Sequence, residues 1–226
     1  MISADLLGTA VARLADDGFI AYPTETVWGL GACADRPDAI RRLIDWKGRS
    51  EDAPMSVLVP SVEAATELGC LIEGPAKRLA ESFWPGPLTL VVACERRFAK
   101  GVEREDGALG MRCSSHPVAH ALAVAVDRAG LGPLTSTSMN RSGDAPATDR
   151  AAAEALVSER GSDPASIDEP LVLAGPGVEA GAEAPSSVVD CTTDEPAVLR
   201  VGAIDRERLE SAWKNDTGST HGEMTR

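Results

Sequence analysis

The sequence is poor in aromatic residues and in positive charge. Only 4% of its 226 residues are aromatic, and 22 lysines and arginines stand against 35 aspartates and glutamates, a formal net charge of −13. This charge excludes nonspecific binding of nucleic acid or anionic lipid by the whole surface, although it leaves room for a local basic groove. Because base stacking uses exposed aromatic rings, the low aromatic content also argues against a platform for single-stranded nucleic acid.

Long apolar runs and paired cysteines are also missing. No stretch approaches the roughly 18 apolar residues of a membrane span, and the amino terminus has no basic region followed by an apolar stretch. The five cysteines are odd in number, widely spaced and without a C-x-x-C pair, which favours buried thiols over a disulfide framework or a zinc knuckle. These features predict a cytoplasmic protein with no membrane association.

Several common catalytic motifs are absent. The sequence contains no G-x-x-x-x-G-K-[ST], and the glycine-rich stretch 175–181 does not match G-x-G-x-x-G, so a phosphate site must be built in another way. His116 and His120 lack the glutamate of H-E-x-x-H, and Pro117 predicts that His116 caps a helix. No Ser/His/Asp or Cys/His set is visible, so nucleophilic catalysis is not supported.

The chain does contain short apolar strands that alternate with amphipathic stretches. This alternation predicts an α/β sheet with crossover connections. The predicted strands are 18–21, 55–60, 88–94, 108–113, 133–138, 171–175, 186–191 and 197–202. The predicted helices are 4–16, one capped by Asp35 and ending near Gly48, 62–68, 76–83, 118–128 and 151–159. We expect one domain over residues 1–213, with a glycine-rich loop at 175–185 and a disordered tail at 214–226.

The first polar stretch is YPTETVWGLG, residues 22–31. Pro23 must end the preceding strand, which leaves Thr24, Glu25 and Thr26 at the tip of that strand. Ligands often bind at such tips in open α/β sheets. Hydroxyl and carboxylate groups are also ordinary turn caps, and these ten residues alone favour capping over ligand binding.

A pair of cations follows the second predicted helix. Lys47 and Arg49 flank Gly48, and a glycine there lets the chain turn so that both side chains face one anion, such as a polyphosphate. Cations at a helix C-terminus are also favoured by the helix dipole without any ligand. Both interpretations stay open on spacing alone.

Two further stretches contain candidate polar residues. Ser138 and Asn140 follow a predicted strand and point the same way if extended, although an Asx or Ser/Thr turn explains them equally well. Arg112 lies at the end of another predicted strand. Arginine in an otherwise apolar strand is usually an edge residue, but at a strand end it can pair with a carboxylate.

Taken in order, these stretches resemble the YrdC/TsaC family of threonylcarbamoyl-AMP synthases over roughly residues 5–205. The matching pieces are YPTETVWGLG, K-G-R with Pro54 downstream, WPGPLTLVV, LGMR, STSMNRSG, SSVVD and VLRVGAI. No single piece is specific for the family, but the occurrence of all seven pieces in the family's order is specific. The resemblance implies a YrdC-like twisted open sheet with flanking helices and a concave basic cleft.

The resemblance also implies a reaction and its partners. L-threonine, bicarbonate and ATP give threonylcarbamoyl-AMP and pyrophosphate, with ATP as substrate and Mg²⁺ as cofactor. The product passes to a separate tRNA threonylcarbamoyl transferase complex for threonylcarbamoyladenosine modification of tRNA, and a weak contact with tRNA itself is a further expected interaction. Joining two anions in this way requires cations that neutralise their repulsion.

Individual roles follow from the positions that match the family's motifs. The implied catalytic residues are Lys47, Arg49, Ser138 and Asn140. The implied nucleotide contacts are Lys47, Arg49, Asn140, Thr148 and Arg200, and the implied threonine contacts are Thr24, Arg112, Ser138 and Ser186. Glu25 and Thr26 are expected to shape the turn, and no residue is implied as a direct metal ligand.

The sequence departs from the family pattern at a few positions. They are Trp28 for tyrosine, Ser50 for proline, Met55 for leucine, Cys113-Ser114 for a small apolar residue and proline, Met139 for alanine, and Ser187 for threonine. Met139 is expected to matter most, because a long side chain in the loop that touches both substrates would alter the pocket.

Two other functions fit the same fold. One is a noncatalytic RNA-binding YrdC-like module, against which the net charge and the low aromatic content both argue. The other is a related carbamoyl-transfer enzyme that uses carbamoyl phosphate. Loss of the threonine contacts would favour the second alternative, but Thr24, Arg112 and Ser186 are all present.

Overall fold

The computed structural model describes residues 2–159, 163, 165–173 and 184–214. The predicted glycine-rich loop lies mostly outside these residues, and the part of the predicted tail beyond Lys214 lies wholly outside them. Lys214 itself is the last residue of a helix.

Helices and strands alternate through most of the described chain, as the sequence predicts. The helices are α1 Ala4–Ala15, α2 Pro37–Lys47, α3 Val62–Glu67, α4 Gly74–Phe83, α5 Pro117–Arg128, α6 Arg150–Ser158 and α7 Arg206–Lys214. The strands are β1 Phe19–Tyr22, β2 Gly29–Ala32, β3 Ser56–Leu58, β4 Leu88–Ala93, β5 Ala108–Arg112, β6 Leu134–Ser138, β7 Leu171–Val172, β8 Ser187–Asp190 and β9 Ala197–Arg200.

The strands of the described residues form one open sheet in the order β7-β1-β2-β6-β3-β5-β4-β8-β9. Three neighbouring pairs are parallel, β1 with β7, β3 with β5, and β4 with β8. The other five pairs are antiparallel. The predicted α/β class is therefore confirmed, with a mixed sheet in which parallel neighbours are joined through helical crossovers.

Strand β2 is not among the strands predicted from the sequence. Its sequence GLGA has little intrinsic strand preference, but it pairs antiparallel with both β1 and β6. Gly31 is required by this position, because a Cβ atom on it would lie 2.2 Å from the carbonyl oxygen of Thr135. Close approach of a neighbouring backbone, rather than side-chain pattern, therefore explains the glycine at position 31.

Two helix assignments also need correction, and one is confirmed. Asp35 does not cap α2; Arg36 occupies the cap position without a side-chain bond, and the Asp35 carboxylate binds Arg96 instead. Helix α7 is not predicted at all, because it is strongly polar and buries only Leu209. His116 does cap α5, since its Nδ1 accepts a hydrogen bond of 3.2 Å from the backbone N–H of Val118.

The hydrophobic core lies between helices and sheet. Trp46 of α2 packs edge-on against Phe19 of β1, with ring centroids 6.3 Å apart, and its indole N–H donates to Glu169 at 2.7 Å. No helix in the described part of the chain is long and apolar enough to cross a membrane.

Candidate functional site

A cleft of about 510 Å³ lies across one face of the central strands. Its floor is formed by alternate residues: Thr89 and Val91 of β4, Ala108, Gly110 and Arg112 of β5, and Ser136 and Ser138 of β6. Successive side chains of a strand point to opposite faces, so the intervening residues Leu90, Leu109 and Met111 lie in the core. The cleft therefore occupies the face of the sheet rather than the strand tips alone.

Most of the predicted site residues meet at this cleft. Those that line it are Thr24, Arg49, Arg112, Ser138, Asn140, Ser186 and Arg200. Lys47 lies directly behind the wall formed by Ser138 and Asn140, which its ammonium group contacts. Thr148 is exposed and does not line the cleft, so its contact with nucleotide stays a prediction.

The turn between Lys47 and Arg49 has the geometry that the glycine predicts. Gly48 has φ of 65°, in the left-handed region that glycine adopts without strain. Its N–H bonds to Asp45 and that of Arg49 to Ile44, which ends α2 in a tight reversal. The reversal separates the two cations, because Lys47 points inward and Arg49 reaches the cleft.

The ammonium group of Lys47 is buried and surrounded by oxygen atoms. The side chain is 3% exposed, and Nζ lies 2.7 Å from Asn140 Oδ1 and 3.0 Å from the Asn140 carbonyl oxygen. It also donates to the carbonyl oxygen of Ser138. Burial, with the neighbouring cations Arg49 and Arg141, lowers the pKa of Lys47 to about 8. Lys47 therefore organises the loop at 138–140 rather than projecting into the cleft.

This lowered pKa predicts a pH-dependent stability. Between about pH 8 and the ordinary lysine value of 10.5, the unfolded chain holds a proton that the folded chain has lost, so raising the pH favours folding. The stability of the wild type relative to a Lys47→Met variant should rise across this window by up to about 3 kcal/mol. Urea unfolding of both proteins at several pH values measures it, and a difference independent of pH would contradict the lowered pKa.

The loop at 138–140 is held in one conformation by its own hydrogen bonds. Ser138 Oγ donates to Asn140 Oδ1 at 2.6 Å, and Asn140 Nδ2 donates to the carbonyl oxygens of Arg141 and Asp144, both at 2.8 Å. The turn interpretation and the site interpretation of these residues are therefore compatible. Contrary to expectation, Met139 does not enter the cleft; its side chain is completely buried in the core.

Arg49 is held at the cleft by backbone carbonyl groups. Nη2 donates to Pro54 at 2.7 Å and Nε to Ala53 at 3.2 Å. Burial lowers its pKa, but a guanidinium group keeps its charge at any physiological pH. No ion pair to Arg49 occurs within the described residues, so its charge is available to an anionic ligand.

Arg112 is ion-paired with Glu25, a residue that the sequence analysis assigned only to the turn. Nη2 of Arg112 lies 2.9 Å from Glu25 Oε1, and Nη1 donates to Thr26 Oγ1 at 3.0 Å. Burial alone would raise the pKa of Glu25, but Arg112 and the Ser114 hydroxyl outweigh it and lower that pKa. The sequence signal was limited to the general need of a buried arginine for an anion.

Thr24 caps its own turn, as the local sequence favours, and lines the cleft as well. Its Oγ1 donates to the carbonyl oxygen of Val27 at 2.7 Å and accepts from the N–H of Thr26 at 3.1 Å. It also lies 2.8 Å from Thr26 Oγ1. A continuous set of hydrogen bonds therefore connects the turn at 24–27 to Arg112 through the Thr26 hydroxyl.

The opposite wall contains Ser186 and Arg200. Arg200 donates to the hydroxyl of Ser186 at 3.0 Å and to its carbonyl oxygen at 2.9 Å. Thr89, which the sequence analysis missed, lies with Oγ1 3.0 Å from Ser186 Oγ. Ser187 faces away, and its hydroxyl donates to Ile204 at 2.6 Å. Because successive side chains of a strand point to opposite faces, Ser186 lines the cleft and Ser187 has a structural role.

The charges that line the cleft are mostly positive. Arg49, Arg104, Arg112 and Arg200 line it, whereas Asp144 is the single acidic residue that does so among the described residues. Arg104 is neutralised by Asp106 and Asp190, and Arg112 by Glu25. Arg49 and Arg200 thus provide charge for an anion, while the basic character of the cleft as a whole stays a prediction.

The described residues do not fit a protein-bound metal site. No group of three or more histidine, cysteine, aspartate or glutamate side chains is placed to hold an ion in this part of the chain. The one carboxylate that lines the cleft, that of Asp144, does not make an all-protein cage for Mg²⁺, an ion that is usually held by one or two carboxylates together with substrate phosphates and water.

Comparison with known proteins places the chain among relatives of similar fold. The family model Sua5_yciO_yrdC, described as "Telomere recombination", matches residues 12–202. The chain is 33% identical over 210 residues to a threonylcarbamoyl-AMP synthase of Bacillus subtilis, covering 91% of this chain and 56% of that protein. It is 33% identical over 214 residues to a putative threonylcarbamoyl-AMP synthase of Mycobacterium tuberculosis, covering 95% and 92%.

Solved structures give the same result. The crystal structure of P. abyssi Sua5 complexed with L-threonine matches with a TM-score of 0.81 at 27% identity, over 94% of this chain and 58% of that one. E. coli YciO matches with a TM-score of 0.74 at 22% identity over 91% and 93%, and shows the shared fold alone. The chain therefore spans a little over half the length of the Bacillus subtilis and P. abyssi proteins and nearly all of the Mycobacterium tuberculosis one.

Proposed function

Because the chain belongs to the Sua5/YciO/YrdC family, we propose that it synthesises threonylcarbamoyl-AMP and pyrophosphate from L-threonine, bicarbonate and ATP. The observation that carries this proposal is the convergence of Arg49, Ser138, Asn140 and Arg112 on one cleft, with Lys47 behind it. The names of the curated relatives and the threonine complex of Sua5 support the same activity.

The reaction has two steps. The free amine of threonine adds to carbon dioxide and loses a proton, or adds to bicarbonate with loss of water, and either route gives a carbamate. A carbamate oxygen then attacks the α-phosphorus of ATP, and pyrophosphate leaves. Both reacting groups are anions, so positioning and charge neutralisation are the main contributions that a protein can make.

The residues of the cleft divide into a phosphate end and an amino-acid end. Arg49, with its charge unpaired by any described carboxylate, would neutralise the phosphates, next to the Ser138 and Asn140 side chains that Lys47 positions. Arg112 would bind the threonine carboxylate, with Thr24 and Ser186 close by. Arg200, held by Ser186, would contact the nucleotide from the opposite wall.

The proposed activity also implies a metal ion, a cellular location and protein and RNA partners. Since the cleft provides one carboxylate, we expect Mg²⁺ to be bound mainly by the triphosphate of ATP. We further propose that the protein acts in the cytoplasm and that its product passes to a tRNA threonylcarbamoyl transferase complex. The chain itself would need no more than a weak contact with tRNA.

The proposal predicts a defined substrate requirement. Incubation of the purified chain with ATP, Mg²⁺, L-threonine and bicarbonate should release pyrophosphate and form threonylcarbamoyl-AMP, detected by mass spectrometry. Omission of either threonine or bicarbonate should abolish both products. Product formed from carbamoyl phosphate in their place would indicate the carbamoyl-transfer alternative, and RNA binding without turnover would indicate the noncatalytic one.

A further inference from the structure

Two of the five cysteines lie side by side although 24 residues separate them. Cys70 follows α3 and Cys94 follows β4, and the two form an isolated antiparallel bridge. The hydrogen bonds that flank the bridge run from Leu71 N–H to Ala93 at 2.9 Å and from Glu95 N–H to Gly69 at 3.0 Å. Cys70 and Cys94 are therefore a non-hydrogen-bonded pair, the arrangement in which opposite side chains come closest.

The backbone spacing of such a pair suits a covalent link. Opposite residues in non-hydrogen-bonded positions have Cα atoms about 4.5 Å apart, which lies within the range of disulfides. The two Sγ atoms are 2.6 Å apart, well inside van der Waals contact. Joining the sulfurs thus requires no rearrangement of the backbone.

The chemical setting distinguishes this pair from the other cysteines. The Cys70 S–H donates to Cys94 Sγ, which lowers the pKa of the Cys94 thiol and raises that of Cys70, and Arg97 and Arg96 lower the Cys94 pKa further. The remaining three thiols differ from Cys94, because burial raises their pKa values. These are Cys33 and Cys191, at about 12, and Cys113, at about 11.

We propose that Cys70 and Cys94 form a reversible disulfide, a redox modification site separate from the cleft. A peroxide such as hydrogen peroxide would be the oxidant. The Cys94 thiolate attacks one peroxide oxygen, which gives a sulfenic acid and hydroxide. The Cys70 sulfur then attacks the Cys94 sulfur, and the sulfenic oxygen leaves as water after taking up a proton. In total two thiols and one hydrogen peroxide give one disulfide and two waters, and a dithiol reverses the change.

The disulfide would tie two parts of the fold together. It closes a loop that contains α4 and the cleft residues Thr89 and Val91 of β4. Closing a loop of this length lowers the conformational entropy of the unfolded chain and so stabilises the folded one. Neither sulfur lines the cleft, so we expect turnover by the folded protein to be similar in both redox states.

Peptide mapping of the native protein tests this proposal directly. The full chain is treated with a modest excess of hydrogen peroxide, free thiols are blocked with N-ethylmaleimide, and the protein is digested with trypsin. The expected product is a disulfide-linked pair of the peptides 50–77 and 79–96, which dithiothreitol separates. Recovery of both peptides with alkylated thiols, or of Cys94 as sulfinic acid without a link, would overturn the proposal.

Thermal unfolding and three variants complete the test. Oxidised wild type should unfold about 5–10 °C above the reduced protein. Cys70→Ser and Cys94→Ser should each lose both the linked peptides and the shift, whereas the matched variant Cys113→Ser, also at a buried cysteine, should keep them. An oxidative shift that persists in Cys70→Ser would assign it to another group and contradict the proposal.

Discussion

Replacing Lys47 with alanine is expected to lower the rate of threonylcarbamoyl-AMP formation about 100- to 1000-fold, which corresponds to about 3–4 kcal/mol of transition-state stabilisation. The ammonium group donates to oxygen atoms of both Ser138 and Asn140. Without it, these acceptors lose their partner and the wall of the cleft loses its fixed geometry. We therefore expect a loss of about 1–3 kcal/mol in the free energy of unfolding as well.

Arg49→Ala is the matched comparison for Lys47. It should lower the rate by a similar factor, because its guanidinium group would contact the phosphates directly. Its shorter bonds go to carbonyl groups of its own loop, and the bond to the Thr137 hydroxyl is long at 3.5 Å, so we expect a much smaller change in stability. Steady-state rates with saturating substrates and urea unfolding of both variants separate the two roles, and Lys47→Met keeps the volume while removing the charge. Wild-type turnover in Lys47→Ala or Arg49→Ala would remove the corresponding role.

Replacing Arg112 with alanine should raise the apparent KM for threonine about 10- to 100-fold, and that for ATP much less. The loss of hydrogen bonds between a guanidinium group and a carboxylate costs about 1.5–3 kcal/mol. The KM values for both substrates, measured on the same preparation, check this result. A threonine dependence equal to that of the wild type would rule out Arg112 as the carboxylate ligand.

Glu25 provides the control for Arg112. Arg112→Ala leaves the half-buried Glu25 carboxylate without its ion pair, which should cost stability in addition to threonine affinity. The double variant Arg112→Ala with Glu25→Gln should recover much of the stability but none of the affinity for threonine. If the double variant recovers both, the effect of Arg112→Ala on threonine comes from the unpaired carboxylate and not from a lost contact.

Local sequence predicts local structure well in this chain. Gly48 between two cations predicts the left-handed residue that ends α2, and Pro117 with His116 predicts the start of α5. These features were found because they depend on local sequence, and strand β2 was missed because it does not. Its residues Gly29–Ala32 have no strand pattern of their own, and they are held by hydrogen bonds to β1 and β6 that local sequence does not encode.

The direction of polar side chains is harder to predict. The nucleotide contact of Lys47 stays a prediction, but its ammonium group contacts Asn140, 93 residues later in the chain, which spacing did not indicate. Met139 was expected to enter the cleft and is in the core. In both cases the partners are distant in the chain: Lys47 bonds to Asn140, which follows β6, and the backbone N–H of Met139 bonds to Trp28.

By itself, the sequence determined the alternation of strands and helices, the turn at Gly48 and the set of motifs whose order identifies the family. Those properties depend on neighbouring residues and on the residue types present. Only the tertiary structure decided which distant side chains meet: Lys47 with Asn140, Arg112 with Glu25, and Cys70 with Cys94. The physical reason is that periodicity specifies which face a residue occupies within its own strand or helix. The hydrogen-bonded order of the strands then decides which faces are brought together.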